Sequence, residues 1–491
     1  MEQFGIRPAQ APRSTLKCCS TLSKSGQPEL SLSRLVLATC AEVAQWNAVS
    51  AEISSTPSPP VRKPSISHAW RALRSRNFRL YFTGQTVSLI GTWMTRLATS
   101  WLVYRLTGSA LLLGIVGFSG QIPTFLFAPF AGVWVDRLDR RRVLVVTQFL
   151  AMLQSLALAA LTLSRHINIQ EIIWLSAFQG LINAVDMPAR QAFLVQMVDD
   201  KQHLGNAIAL NSSMVNLARL VGPSLAGAVI AVSGEGSCFL IDGISYIAVI
   251  ASLLAMRLQP GAAKATTVSM LGQFKEGWKY VSGFAPVRTI LLLFAMVSLM
   301  GWPFTVLMPI FAGKILGGGP HTLGFLMGAV GIGALVSAIS LALRKTVLGL
   351  GRMIPISTAC LGAGLILFGM SRVLWLSLLL MLFCGFGMMQ QMAASNTIIQ
   401  TIVEDDKRGR VMSFYAMAFV GMAPFGSLLA GVSAHAIGAP LTVMLSGACC
   451  LAGAIWFATQ VRTIRKLIRP IYVDLGILPA ANAVMRDSVG G

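Results

Sequence analysis

The chain has 491 residues, of which 55% are hydrophobic and 12% charged, with a formal net charge of +21. A soluble protein carries about twice that charged fraction, and a bilayer core about 30 Å thick needs roughly 20 apolar residues per helix. The long apolar stretches between Leu80 and Gln460 therefore exclude a soluble protein, and unbroken runs in place of alternating ten-residue segments exclude a membrane barrel. The positive charge sits between these stretches, with no aromatic-basic platform or zinc-finger spacing, so nucleic acid is excluded as a partner.

Residues 1–65 come first. They are rich in Ser and Pro, with PSPP at Pro57–Pro60, and LATC at Leu37–Cys40 lacks the apolar run that a lipoprotein signal needs. A disordered extension, or translation from a misassigned start codon, is expected here. Twelve spans follow, near 80–104, 110–134, 143–163, 171–197, 207–232, 237–257, 287–312, 322–343, 354–371, 374–400, 409–433 and 440–460. The fold class is an all-α membrane protein of twelve transmembrane helices in two six-helix bundles.

Alternate connections are basic. One set holds Arg62 and Lys63 with Arg71 to Arg79, Arg137 with Arg140 to Arg142, Lys201, Lys264 to Lys279, Arg344 to Arg352, Lys407 to Arg410, and Arg462 to Arg469. The other set offers only Arg105, Arg165, Lys314 and Arg372. The positive-inside rule then puts both termini and every basic loop in the cytoplasm of a multi-pass inner-membrane protein. The longest internal connection, Gln259–Pro286, divides the chain into an N-terminal bundle (66–258), a cytoplasmic loop (259–286), a C-terminal bundle (287–461) and a tail (462–491).

The halves echo each other. MVDDKQHLGNA (Met197–Ala207) matches VEDDKRGRVMS (Val403–Ser413), each joining the fourth span of its half to the fifth, and GPSLAG (Gly222–Gly227) matches PFGSLLAG (Pro424–Gly431). A duplicated six-span unit is the pattern of a two-bundle secondary transporter that binds substrate near mid-membrane between its halves.

The hairpin Gly132-x-x-x-Asp136-Arg137-x-x-Arg140-Arg141 resembles the loop between spans two and three of the major facilitator superfamily. The resemblance covers Leu80 to Gln460. It implies a cytoplasmic latch in which Asp136 meets the loop arginines and the start of span eleven near Arg410, holding the cytoplasmic side shut in the outward-open state. The other reading is a plain topology signal. Asp139 replaces the family's second glycine, and the matching loop Leu341–Met353 has Arg344, Lys345 and Arg352 but no Asp. In span five, Gly222-Pro223-x-x-x-Gly227 looks like the antiporter motif of proton-driven exporters, or else a generic small-residue interface. DMPARQAF (Asp186–Phe193), NAIALNSSMVNLARLVGP (Asn206–Pro223) and CFLIDGISYIAVI (Cys238–Ile250) are similar to the drug:proton antiporter branch that includes macrolide efflux proteins and enterobactin-type siderophore exporters.

Charges inside spans are expensive and mark candidate sites. Asp186 and Arg190 lie four apart on span four, and Arg219 on span five is expected at the same depth, so a three-residue cluster is plausible. Asp186 is then either the proton-coupling carboxylate or half of a structural ion pair. Asp242 on span six is a release-site carboxylate or merely hydrated near the outer surface. Arg96 on span one either attracts an anionic substrate or snorkels. Asn183, Asn211, Asn216, Gln390, Gln391 and Asn396 either line a cavity or hydrogen-bond between helices, and Met388, Met389 and Met392 beside the glutamines are either an adaptable wall or ordinary packing.

No catalytic set, cofactor motif or metal spacing stands out. The eight cysteines form no CxxC pair, and His68, His166, His203, His321 and His435 are scattered with no HExxH or GxSxG beside them. No Walker A loop supplies an ATP engine. The expected function is proton-coupled export of an amphiphilic small molecule by a monomer in the lipid bilayer. The alternatives are an uptake carrier or a lipid or lysolipid flippase of the same fold, and a non-transporting membrane sensor.

Overall fold

The computed structural model describes residues 71–198, 203–257, 270–344 and 346–478. The expectations for residues 1–65, for Lys201, Lys264 and Lys345, for the chain beyond 478, and for the side chain of Asp136 lie outside the described residues.

The described chain is helical throughout and contains no strand. In the first half, α1 is Arg76–Thr107, α2 Ala110–Arg137, α3 Arg140–Leu163, α4 Ile169–Leu194, α5 Leu204–Ser233 and α6 Glu235–Ala255. In the second half, α7 is Ala285–Ile315, α8 Pro320–Ala342, α9 Leu350–Met370, α10 Leu374–Ile402, α11 Asp405–Ile437 and α12 Ala439–Asp474. Ten of these are long and apolar enough to cross a membrane. The other two, α1 and α4, are 32 and 26 residues long and are diluted by polar side chains; they carry Arg96, Asp186 and Arg190.

Local chemistry fixes the ends. Ser109 accepts from the Leu112 amide to cap α2, Asp139 accepts from the Arg141 and Arg142 amides to cap α3, and Asn168 with Glu171 forms a capping box on α4. The departure at Asp139 thus has a local purpose: it starts a helix.

Two segments differ from expectation. The connection between bundles contains a 14-residue helix, Met270–Gly283, because Phe274 and Trp278, four apart, share one face and pack on Phe414 of α11. The last helix runs on past 460 to Asp474, because Ile464 and Ile468 remain buried after the apolar run ends.

The duplication is visible in the packing. Within the first half α1 packs on α6, α3 on α6, α2 on α4 and α3 on α4; within the second half α7 packs on α12, α9 on α12, α8 on α10 and α9 on α10. Adding six to each helix number of the first set gives the second. The contacts between halves obey the same relation: α2 packs on α11, and α5 on α8.

Both crossings close far from the basic loops. A Cβ on Gly114 of α2 would sit 2.7 Å from the Cα of Gly431 on α11, and one on Gly227 of α5 would sit 3.0 Å from the Cα of Gly324 on α8. Backbones approach that closely only where side chains are absent. Gln121 donates to Ser427 at 3.2 Å, and Phe125 meets Phe425 edge-on at 5.8 Å, so the α2–α11 seam reaches mid-helix. Beyond it, Gly132 at the basic end of α2 and Gly409 at the start of α11 have open space around them, and Phe130 and Trp134 are exposed. The halves are packed together at the face away from the basic loops, and near those loops the glycines of α2 and α11 are uncovered.

Candidate functional site

Asp186 sits on α4, 3% exposed. One carboxylate oxygen accepts from Thr147 at 3.0 Å and Gln148 at 2.8 Å, both on α3, and the other is bonded by Arg190 one turn along. Both oxygens are engaged, and the group ties α4 to α3. Arg219 is not part of this cluster.

Asp242 on α6 is equally buried, at 2%, which corrects the expectation of a hydrated residue near the surface. Its Oδ2 accepts from Thr95 of α1 at 2.9 Å and Ser155 of α3 at 3.0 Å. Its Oδ1 has no hydrogen-bond partner and faces Gly91, where an added Cβ would lie 2.8 Å away. One oxygen is held and the other is unclaimed, which leaves a place for a proton.

Arg219 lies instead at the centre of the molecule. Its guanidinium is 5.2 Å from the Trp93 ring of α1 and 5.7 Å from the Trp302 ring of α7. Arg96, three residues after Trp93 on α1, lies 4.8 Å from the same indole. Trp302 follows a wide turn at Val297–Gly301, where its amide donates to Val297 five residues back, and it packs edge-on against Phe419 in a second wide turn of α11. Wide turns of this kind recur at functional sites. The first half supplies both cations and the second half supplies one wall.

At the basic face the hairpin arginines finish neighbouring helices. Arg140 donates to the Ala192 carbonyl near the end of α4, and Arg141 donates to the Leu254 carbonyl at the end of α6 at 2.6 Å. Cations there satisfy orphan carbonyls and complement the helix dipole. Arg137 is exposed. Arg410 bonds Glu276 of the Met270–Gly283 helix and the Asp406 carbonyl, and among the described residues it has no bond to the hairpin. At the opposite face, Arg105 and Glu235 form a two-pronged bridge, at 2.8 and 3.1 Å, that joins the end of α1 to the start of α6.

Residues 67–467 match the transmembrane secretion effector family of the major facilitator superfamily. The chain belongs to that family. The chain is 28% identical to the staphyloferrin A transporter of Staphylococcus aureus, over 75% of this chain and 92% of that one. It is 26% identical to the multidrug efflux pump Tap of Mycolicibacterium fortuitum, over 72% and 88%. The crystal structure of a bacterial homologue of the human lysosomal transporter Spinster, inward-facing and occupied, superposes with a TM-score of 0.64 at 12% identity, over 79% of this chain and 97% of that one. The relatives are membrane transporters and not enzymes, and this chain is a multi-pass membrane transporter of the efflux type.

The amides of the spans divide into two groups. Gln390 and Gln391 are fully buried and line no open cleft. Gln390 accepts from Ser337 at 2.7 Å across helices, and neither polar atom of Gln391 has a partner. Asn211 accepts from Tyr81 at 3.3 Å, Asn183 from Gln179 and Asn396 from Gln400, while Asn216 donates to the Ser212 carbonyl one turn back. Met388 is buried and Met392 half-buried, so the methionines are packing residues more than a wall. In span five, Gly222 abuts Trp93, Pro223 lies inside the helix, and Gly227 makes the α5–α8 crossing. The sequence reading passed over Trp93 and Trp302. The signal for Trp93 was its spacing of three from Arg96; nothing local marks Trp302.

Proposed function

We propose that this chain is a proton-coupled exporter of an amphiphilic small molecule, working by alternating access with twelve spans and its basic face in the cytoplasm of the inner membrane. One observation carries the reading: two duplicated bundles cross closely away from the basic loops while Gly132 and Gly409 beside those loops are uncovered, the arrangement of a transporter open toward its basic face. A substrate entering from the cytoplasm meets an open mouth. Rocking about the α2–α11 and α5–α8 seams would present it to the other side. The name of one relative, a multidrug efflux pump, supports the direction.

Asp242 is the better proton carrier of the two core carboxylates, because Asp186 has both oxygens committed to Arg190, Thr147 and Gln148. The hairpin then acts in the opposite pose. Closing the cytoplasmic side would bring Gly132, Asp136, Arg137, Arg140 and Arg141 toward the start of α11 and free Arg410 from Glu276. In span five, Gly222, Pro223 and Gly227 hold α5 against α1 and α8 near the seal.

The test is an untargeted comparison of metabolites inside and outside cells, with and without the chain, repeated with the proton gradient collapsed and with Asp242→Asn. Export predicts at least one amphiphile enriched outside, dependent on the gradient and on Asp242. Enrichment inside would make the chain an uptake carrier and end the export reading.

A further inference from the structure

We infer that Arg96 and Arg219, with Trp93 and Trp302, form the binding site for an anionic head on an aromatic or otherwise flat apolar body. The inference rests on the transport reading and names its substrate class. Two cations share one indole at mid-depth, where like charges repel. Among the described residues neither guanidinium is within ion-pair distance of a carboxylate, and the Nε of Arg219 is buried without a partner. Asp242 is bonded through Oδ2 to Thr95 and Ser155 and forms no ion pair with either arginine. Asp186, the other core acid, is taken by Arg190. The charge imbalance is therefore built into the site, and an anion brought by a ligand removes it.

The rest of the site fits such a ligand. A planar guanidinium offers a fork of donors that matches a carboxylate. Trp93 and Trp302 stand on opposite halves of the molecule with Arg219 between them, so a flat body would be gripped by both bundles. Phe419 and Phe294 extend the aromatic surface behind Trp302, with ring centroids 4.8 and 5.5 Å apart along the series. Arg96 is exposed although it lies deep within α1. A cationic ligand would face two like charges and is selected against.

Full-length protein in phosphatidylcholine nanodiscs is titrated with 2-naphthoate, with the neutral 2-naphthamide and with 2-naphthylmethylammonium, following tryptophan fluorescence and calorimetry. Naphthoate is expected to bind at least about tenfold tighter than the amide, the loss that one charge-assisted hydrogen bond represents, and the ammonium weaker still. Arg219→Gln and Arg96→Gln should each reduce naphthoate affinity by about tenfold and leave the amide unchanged, with Arg219→Lys intermediate. Variants are compared only where their melting transition matches that of the parent protein, and Trp302→Phe offers a gentler change on the opposite bundle. Equal affinity for naphthoate and naphthamide, or indifference to both arginine substitutions, overturns the inference. Repeating the titration in discs with phosphatidylglycerol separates the sources of the anion. Competition that disappears in Arg219→Gln assigns the head to a lipid at this same site, and unchanged affinity assigns it to a soluble amphiphile. Because binding is read without transport, a failed metabolite experiment with intact naphthoate selectivity would reject export and keep the site, and the reverse result would reject the site alone.

Discussion

The two six-helix halves share a packing order but not a chemistry. The middle of the first half holds Arg96, Asp186, Arg190, Arg219 and Asp242, whereas the spans of the second half, from Thr289 to Val461, are free of Asp, Glu, Lys and Arg away from their ends. The second half has instead the wide turns of α7 and α11 and the buried amides Gln390 and Gln391. Identical helix arrangements thus tolerate opposite interiors. Charge handling is concentrated in one bundle, and the other supplies bendable helices and an aromatic wall. Polar groups should accordingly be indispensable in the first half and dispensable in the second.

That contrast can be broken or sharpened by substitutions, taken in order of the stability they change. Asp186→Asn leaves Arg190 buried without its counter-charge and should lower stability by about 3–5 kcal/mol. Purified protein would show this as a lower apparent melting temperature, largely restored when Arg190→Gln is added. An unchanged melt in the single variant would mean that the pair does not hold α4. Gly91→Ala forces a Cβ against Asp242, Ser245 and the backbone of α6, at an expected loss of about 1–3 kcal/mol. The same melt measures it, and a neutral result would show that α1 and α6 are looser than their contact distance implies.

In the second half the sign reverses. Gln391→Leu removes an amide with no partner and should raise stability by about 1 kcal/mol; destabilisation would reveal a polar role that the contrast denies. Asp242→Asn keeps an acceptor for Thr95 and Ser155, so its stability should change by less than about 1 kcal/mol while gradient-driven transport is lost. Full coupling in the presence of a normal melt would remove Asp242 as the carrier.

Much of this was legible from composition and spacing. The expected span limits match the helices to within a few residues for most of the chain, because runs near twenty apolar residues and their capping signals are local properties. The pairing of Asp186 with Arg190 followed from a spacing of four. The sequence pattern predicts a loop over Met270–Gly283 because the segment is short and half polar, and its apolar face makes sense only against Phe414. Arg219 was assigned to the wrong neighbours for a related reason: equal depth on adjacent spans says nothing about which way a side chain points.

By itself the amino-acid order determined that this chain is a bundle of membrane helices, duplicated after the sixth, with its basic loops on one face. Those outcomes depend on hydrophobicity, on charge between spans and on caps, all of which act within a few residues. Only tertiary structure decided that Asp242 is sealed in the core with one oxygen unclaimed, that the Arg140 and Arg141 side chains finish α4 and α6, and that Arg219 lies between two tryptophans from different halves. The physical reason is that lipid and protein interior are equally apolar, so a uniformly greasy helix carries no periodic signal of which face turns inward. Close packing at the glycine crossings settles that rotation, and with it the site.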